Sequence, residues 1–97
     1  MRAQLASLVL CCFVCGCVYL GRDFPTAPVK SIENNITTQN NIFNYFGEPM
    51  RRGLENGYET WTYSYNTYEL GQLRDSKELY IVFNKDNTVR SYSFTAK

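Results

Sequence analysis

Residues 58–66 read Tyr58-Glu59-Thr60-Trp61-Thr62-Tyr63-Ser64-Tyr65-Asn66. Trp61, Tyr63 and Tyr65 alternate with Thr60, Thr62, Ser64 and Asn66, the period of two that sends successive side chains to opposite faces of a strand. One face is aromatic and the other polar, so this strand has one side to bury. Asn56-Gly57, just before it, is a strong turn dipeptide. After it, Tyr68 to Ser76 is polar, carries Gly71, and reads as a loop. Leu79 to Phe83 reads as a second strand, with Leu79, Ile81 and Phe83 on one face and Tyr80 and Val82 on the other. Asp86-Asn87 turns the chain, Asn87 tolerating positive φ, and Val89 to Phe94 returns as a third strand.

Helix signals lie upstream of the strands. Thr26 is placed to cap a short helix through Pro28, Val29 and Ile32, with Asn34-Asn35 ending it in a left-handed conformation. Thr37 reads as the N-cap of a second helix, which carries Ile42, Tyr45 and Phe46 at helical spacing, with Phe43 beside that stripe to widen it. Gly47 follows the last periodic residue and Pro49 comes two later, a stop signal. A helix this short needs a surface to pack on. The order is helix, helix, strand, strand, strand. It predicts an α+β domain, ααβββ, with two short N-terminal helices packed on one face of a three-stranded antiparallel sheet.

The N-terminus has a different character. Met1-Arg2 gives a short positive region, Leu5 to Val14 is almost without polar interruption, and small residues follow, the layout of a secretory signal peptide. Val14-Cys15-Gly16-Cys17 resembles a lipobox, with cleavage between Gly16 and Cys17 and acylation of Cys17. Cys11, Cys12 and Cys15 fit worse, since Leu10, Cys11 and Val14 precede them. The alternatives are an ordinary signal peptide or a retained anchor; Leu5 to Leu20 is 16 residues, and a spanning helix needs about 20. Thioether-linked and amide-linked acyl chains together would hold far more firmly than a single chain. The expected organisation is a lipoprotein signal peptide over 1–16, a lipidated tether over 17–28 and a folded domain over 29–97. Val18 after Cys17, where aspartate signals inner-membrane retention in the enteric sorting rule, favours the outer membrane by analogy.

Residues 17–97 hold nine Lys/Arg (all ten but Arg2) against nine Asp/Glu. Zero net side-chain charge argues against a nucleic-acid partner and against polybasic attraction to anionic lipid. All four cysteines lie within the first 17 residues, so the domain has no disulfide and must rest on one aromatic-rich core.

The chain has no histidine, and its one remaining thiol is the one expected to be acylated. Ser-His and Cys-His nucleophile pairs and the usual zinc sites are thereby removed. Glu55 with Glu59 is a formal carboxylate pair, but such residues beside a turn are usually solvated. No catalytic residue, metal site or cofactor is expected. Among the tyrosines on the strands, Tyr80 and Tyr92 are the candidates for docking a protein partner, weighed against rim packing of the core. Arg51-Arg52 could meet headgroups or an acidic patch, though adjacent arginines are usually just solvated.

Val29-Lys30-Ser31-Ile32, Ile36-Thr37, Ile42, Phe46-Gly47-Glu48-Pro49, Gly57, Thr60-Trp61-Thr62-Tyr63, and Leu79 to Asn84 with Val89 together resemble the BamE (SmpA/OmlA) family, over roughly Val29 to Thr95. The resemblance carries Thr37, Gly47, Pro49, Trp61 and Tyr63 across as fold-determining positions. It implies a non-catalytic accessory lipoprotein of the β-barrel assembly machinery, binding other subunits and lipid at the inner leaflet of the outer membrane. Asn35 and Asn87 replace family glycines and keep tolerance of positive φ. Thr62 and Asn66 depart where the family can carry a large aromatic and a cation, so a partner surface does not transfer. A periplasmic inhibitor or immunity-type lipoprotein that binds an enzyme is the competing reading, with Glu69 to Asp75 as its inserting loop.

Overall fold

The computed structural model describes residues 17–97; the expected signal peptide, with Gly16, lies outside them. Its elements are β1 (Cys17–Gly21), one 3-10 turn (Ala27–Ser31), α1 (Gln39–Phe46), β2 (Arg51–Glu55), β3 (Tyr58–Glu69), β4 (Gln72–Phe83) and β5 (Val89–Ala96). All strands join one antiparallel sheet in which β3 takes β4 on one edge and both β1 and β2 on the other. β3 can do this because its 12 residues extend roughly 40 Å. β2 pairs with residues 58–62 and β1 with residues 65–69.

The expected α+β architecture is present, with one helix rather than two and five strands rather than three among the described residues. The helix expected from Thr26 contracts to the 3-10 turn. Thr26 lies in the αR region and its side chain makes no capping bond. Five residues are too few to repay nucleation of an α-helix. α1 does form, but its N-cap is Thr38, one residue beyond the expected Thr37. The Thr38 hydroxyl accepts the Asn41 N–H (3.2 Å), and Asn41 Oδ1 accepts the Thr38 N–H (3.0 Å). Thr37 is instead buried. Its hydroxyl accepts the Glu33 N–H (2.8 Å) and its carbonyl accepts the Val89 N–H (2.8 Å), tying the helix start to β5. Gly47 ends α1 at φ 84° as expected. Phe43 does not widen the buried stripe; it is exposed.

Two strands, β1 and β2, lie outside the three expected. β2 is exposed throughout and joins β3 through Asn56-Gly57, both at positive φ, as a I′ hairpin requires. The stretch expected as a loop, Tyr68 to Ser76, is the end of β3 and the start of β4. Glu69 pairs with Gln72, and Leu70-Gly71 make the turn at φ 53° and 79°. Residues expected as a tether likewise enter the fold: Cys17–Gly21 pair with β3, and Phe24 is buried in the core.

That core lies between α1 with the 3-10 turn and one face of the sheet. Ile42 and Phe46 meet Trp61, Tyr63, Leu79, Ile81, Phe83 and Val89, with Phe24 and Ile32 closing the side. Trp61 and Phe83 stand edge to face at 4.9 Å, an arrangement that adds to the burial itself.

Candidate functional site

The motif residues hold this layer together. The Tyr63 hydroxyl donates to the Gly47 carbonyl at 2.7 Å, and Pro49 is buried just beyond. Burial raises the Tyr63 phenol well above its ordinary value, with Glu48 adding and Arg52 opposing. Trp61 donates its indole N–H to Glu59 (2.7 Å) and lies under the Arg52 guanidinium (4.9 Å). Arg52 also bonds Glu48 at 2.9 Å. Glu55 pairs with Tyr58 and Glu59 with Leu54, so the two carboxylates point to opposite faces and form no acid–base pair. Arg51 and Arg52 diverge in the same way. No metal-holding group of His, Cys, Asp or Glu occurs among the described residues.

The two candidate tyrosines do not come together. Tyr80 stands opposite Thr62 and Ser93 on the face away from α1, and is half-buried. Tyr92 stands opposite Ile81 on the helix-covered face, at its margin, 37 % exposed. They cannot share one docking surface. The face away from α1 centres on Thr60, Thr62, Tyr80 and Val82, of which all but the half-buried Tyr80 are buried. At its end Tyr58 lies between Arg90 (4.4 Å) and Lys85 (5.2 Å), two cation–π contacts on one ring.

Beyond the core, β1, β3 and β4 continue as an arm. Its base is pinned by Lys77, which pairs with Asp23, donates to the Phe24 carbonyl (2.7 Å) and lies near the Phe24 and Tyr65 rings (4.9 and 5.5 Å). The Lys77 hydrogen bond holds the Asp23 carboxyl below its usual range. Tyr19 stacks parallel on Tyr65 with centroids 6.3 Å apart. Cys17 pairs with Glu69 at the far end, beside the turn. The sequence reading missed this arm because a ribbon exposed on both faces carries no alternation of apolar and polar residues. The available signal was Leu70-Gly71 between Tyr68 and Leu73, which pair across the hairpin.

Residues 24–93 match the family model of the outer membrane protein assembly factor BamE domain. The chain belongs to the BamE family. No curated protein and no solved structure matches it. The match begins at Phe24, where the chain enters the core, and ends in β5, so the family domain is the helix–sheet unit built on Trp61, Tyr63 and Gly47. At the level of the family, BamE domains belong to outer-membrane protein assembly.

Proposed function

We propose that the chain is an outer-membrane lipoprotein, anchored through acylated Cys17, that serves β-barrel protein assembly as a non-catalytic interaction module. The observation that carries this reading is the BamE-domain match across residues 24–93, which spans the core from Phe24 to β5. The Val14-Cys15-Gly16-Cys17 sequence supports the anchor. No helix among the described residues is long and apolar enough to cross a membrane. The inhibitor reading relied on Glu69 to Asp75 as an inserting loop, and those residues belong to a paired hairpin.

The test is affinity purification of the tagged, full-length protein from gently solubilised envelope, with mass spectrometry of the proteins retained. Barrel-assembly components are the expected companions. Recovery of a soluble enzyme in their place would overturn the assembly role. In parallel, Cys17→Ala should shift the protein out of the membrane fraction without loss of its far-UV dichroism; continued covalent lipidation of that variant would sink the anchor.

A further inference from the structure

Leu70 breaks two local rules at once. It occupies the first central position of a two-residue hairpin turn at φ 53°, where glycine, asparagine or aspartate are the residues that tolerate positive φ. It is also 78 % exposed, so the strained leucine gains no burial within its own chain. A strained, exposed apolar residue at a turn tip marks a place where something outside the fold supplies the compensation.

Other apolar side chains gather at the same end. Leu73 pairs with Tyr68, and Leu20 stands opposite Asn66. Strand alternation therefore places Leu20, Tyr68 and Leu73 on one face. Leu20 is 50 % and Leu73 46 % exposed. Glu69 and Arg74 pair across the tip at 3.6 Å, leaving it apolar without excess charge of either sign.

The register says what lies against this end. Cys17 pairs with Glu69, the residue preceding Leu70, and β1 runs from there back toward the core. Acyl chains attached at Cys17 would leave the protein one residue from the turn. The five residues of β1 then span about 17 Å before Phe24 enters the core. The β1 pairing makes this a braced spacer where a free tether was expected.

We propose that the β3–β4 hairpin tip is a membrane-seating element, in which Leu70, with Leu73 and Leu20 behind it, partitions into the interfacial layer of the bilayer that holds the Cys17 acyl chains. This rests on the lipid-anchor reading and deepens it. Acyl chains fix where the protein is held; a seated tip fixes its orientation, with the arm upright and the domain off the surface. The occupant is the lipid interface itself. The paired charges at the tip make seating independent of anionic headgroups, since apolar burial drives it.

The test uses the full-length protein, isolated from membranes and reconstituted in phosphatidylcholine vesicles with brominated acyl chains. A fluorescent amino acid is installed at position 72 beside the tip or, as control, at position 55 at the opposite end of the sheet. Bromine quenches only at close range, so the label at 72 should be quenched roughly threefold or more above that at 55. Adding phosphatidylglycerol should leave this ratio unchanged. Leu70→Asn with Leu73→Thr, polar residues suited to a turn and a strand, should abolish the excess while the protein still floats with the vesicles. Equal quenching at both positions, quenching that persists in the double variant, or quenching that requires phosphatidylglycerol would each overturn the proposal. Intact mass reads the anchor separately. Acylated Cys17 with equal quenching leaves the anchor and removes the seat; unmodified Cys17 with excess quenching at 72 does the reverse.

Discussion

The Tyr63 hydroxyl donates to the Gly47 carbonyl at 2.7 Å, joining the centre of β3 to the last turn of α1 across 16 residues of sequence. A helix end leaves carbonyls without partners inside the helix. A turn of φ 84° at Gly47 takes the chain out of α1, and the phenol satisfies the carbonyl exposed there. Tyr63→Phe keeps the ring among Phe24 and Phe46 and removes only this bond. The expected loss is about 1 kcal/mol, read as a lower urea midpoint with an unchanged m-value.

The same phenol gives an alkaline signature. Burial raises the folded Tyr63 pKa above its unfolded value, which lies near ~10. Its contribution is therefore fully present below the unfolded value and is lost as pH rises from there through the folded one. The stability difference between the native protein and Tyr63→Phe should shrink between about pH 9 and 11. A difference that stays constant over that range would show that the hydroxyl does not titrate with folding.

Trp61 is 4 % exposed and packs edge-on to Phe83 beneath Arg52. Trp61→Ala removes the largest side chain from a core with no disulfide behind it. The expected cost is roughly 3–5 kcal/mol, a large share of what so small a domain has. Chemical denaturation should show the variant near its midpoint without denaturant. Trp61→Phe, retaining much of the volume, should lose less than half as much.

These sites were legible in the sequence because burial on one face writes a pattern. Trp61 and Tyr63 alternate with polar neighbours, Leu79, Ile81 and Phe83 recur at the same spacing of two, and Gly47 with Pro49 marks the helix end. The candidate pair Tyr80 and Tyr92 was not resolvable, because their relation depends on register. The Phe83–Val89 and Val82–Ser91 pairings bracket a bulge at Arg90, which decides the face each β5 side chain takes. β1, β2 and the arm left no trace, since edge strands and exposed ribbons are set by pairing partners and turn chemistry. Phe24 looked like part of a tether because its partners lie far along the chain, Phe46 and Tyr63 among them.

Asp23, just after β1, and Lys77 of β4 fasten β1 within the arm, and this contact is acid-sensitive. The Lys77 hydrogen bond lowers the folded Asp23 pKa. Its contribution is present above the unfolded value, near ~3.9, and is lost as pH falls through the folded one. Hydrogen exchange of the β1 amides should accelerate below about pH 4 relative to the core strands, after correction for intrinsic rates. In Asp23→Asn the β1 amides should already exchange faster at neutral pH and show little further change on acidification. Added salt should weaken the native protection, because Asp23 is exposed.

Leu70 sets stability against function in a way that a single substitution separates. Its positive φ and 78 % exposure mean that the isolated fold has no use for a leucine there. Leu70→Asn accepts the same backbone conformation more readily, so the domain should become more stable by about 0.5–1 kcal/mol in detergent-free solution. In the membrane-seated protein the sign should reverse. The lost apolar contact releases the tip, and exchange at the Glu69 and Gln72 amides, slowed by vesicles in the native protein, should no longer respond to them. Stabilising changes that cost activity are expected where a local rule has been broken for a purpose. If Leu70→Asn destabilises the soluble domain, the leucine is packing within its own chain and the tip has no external role to explain.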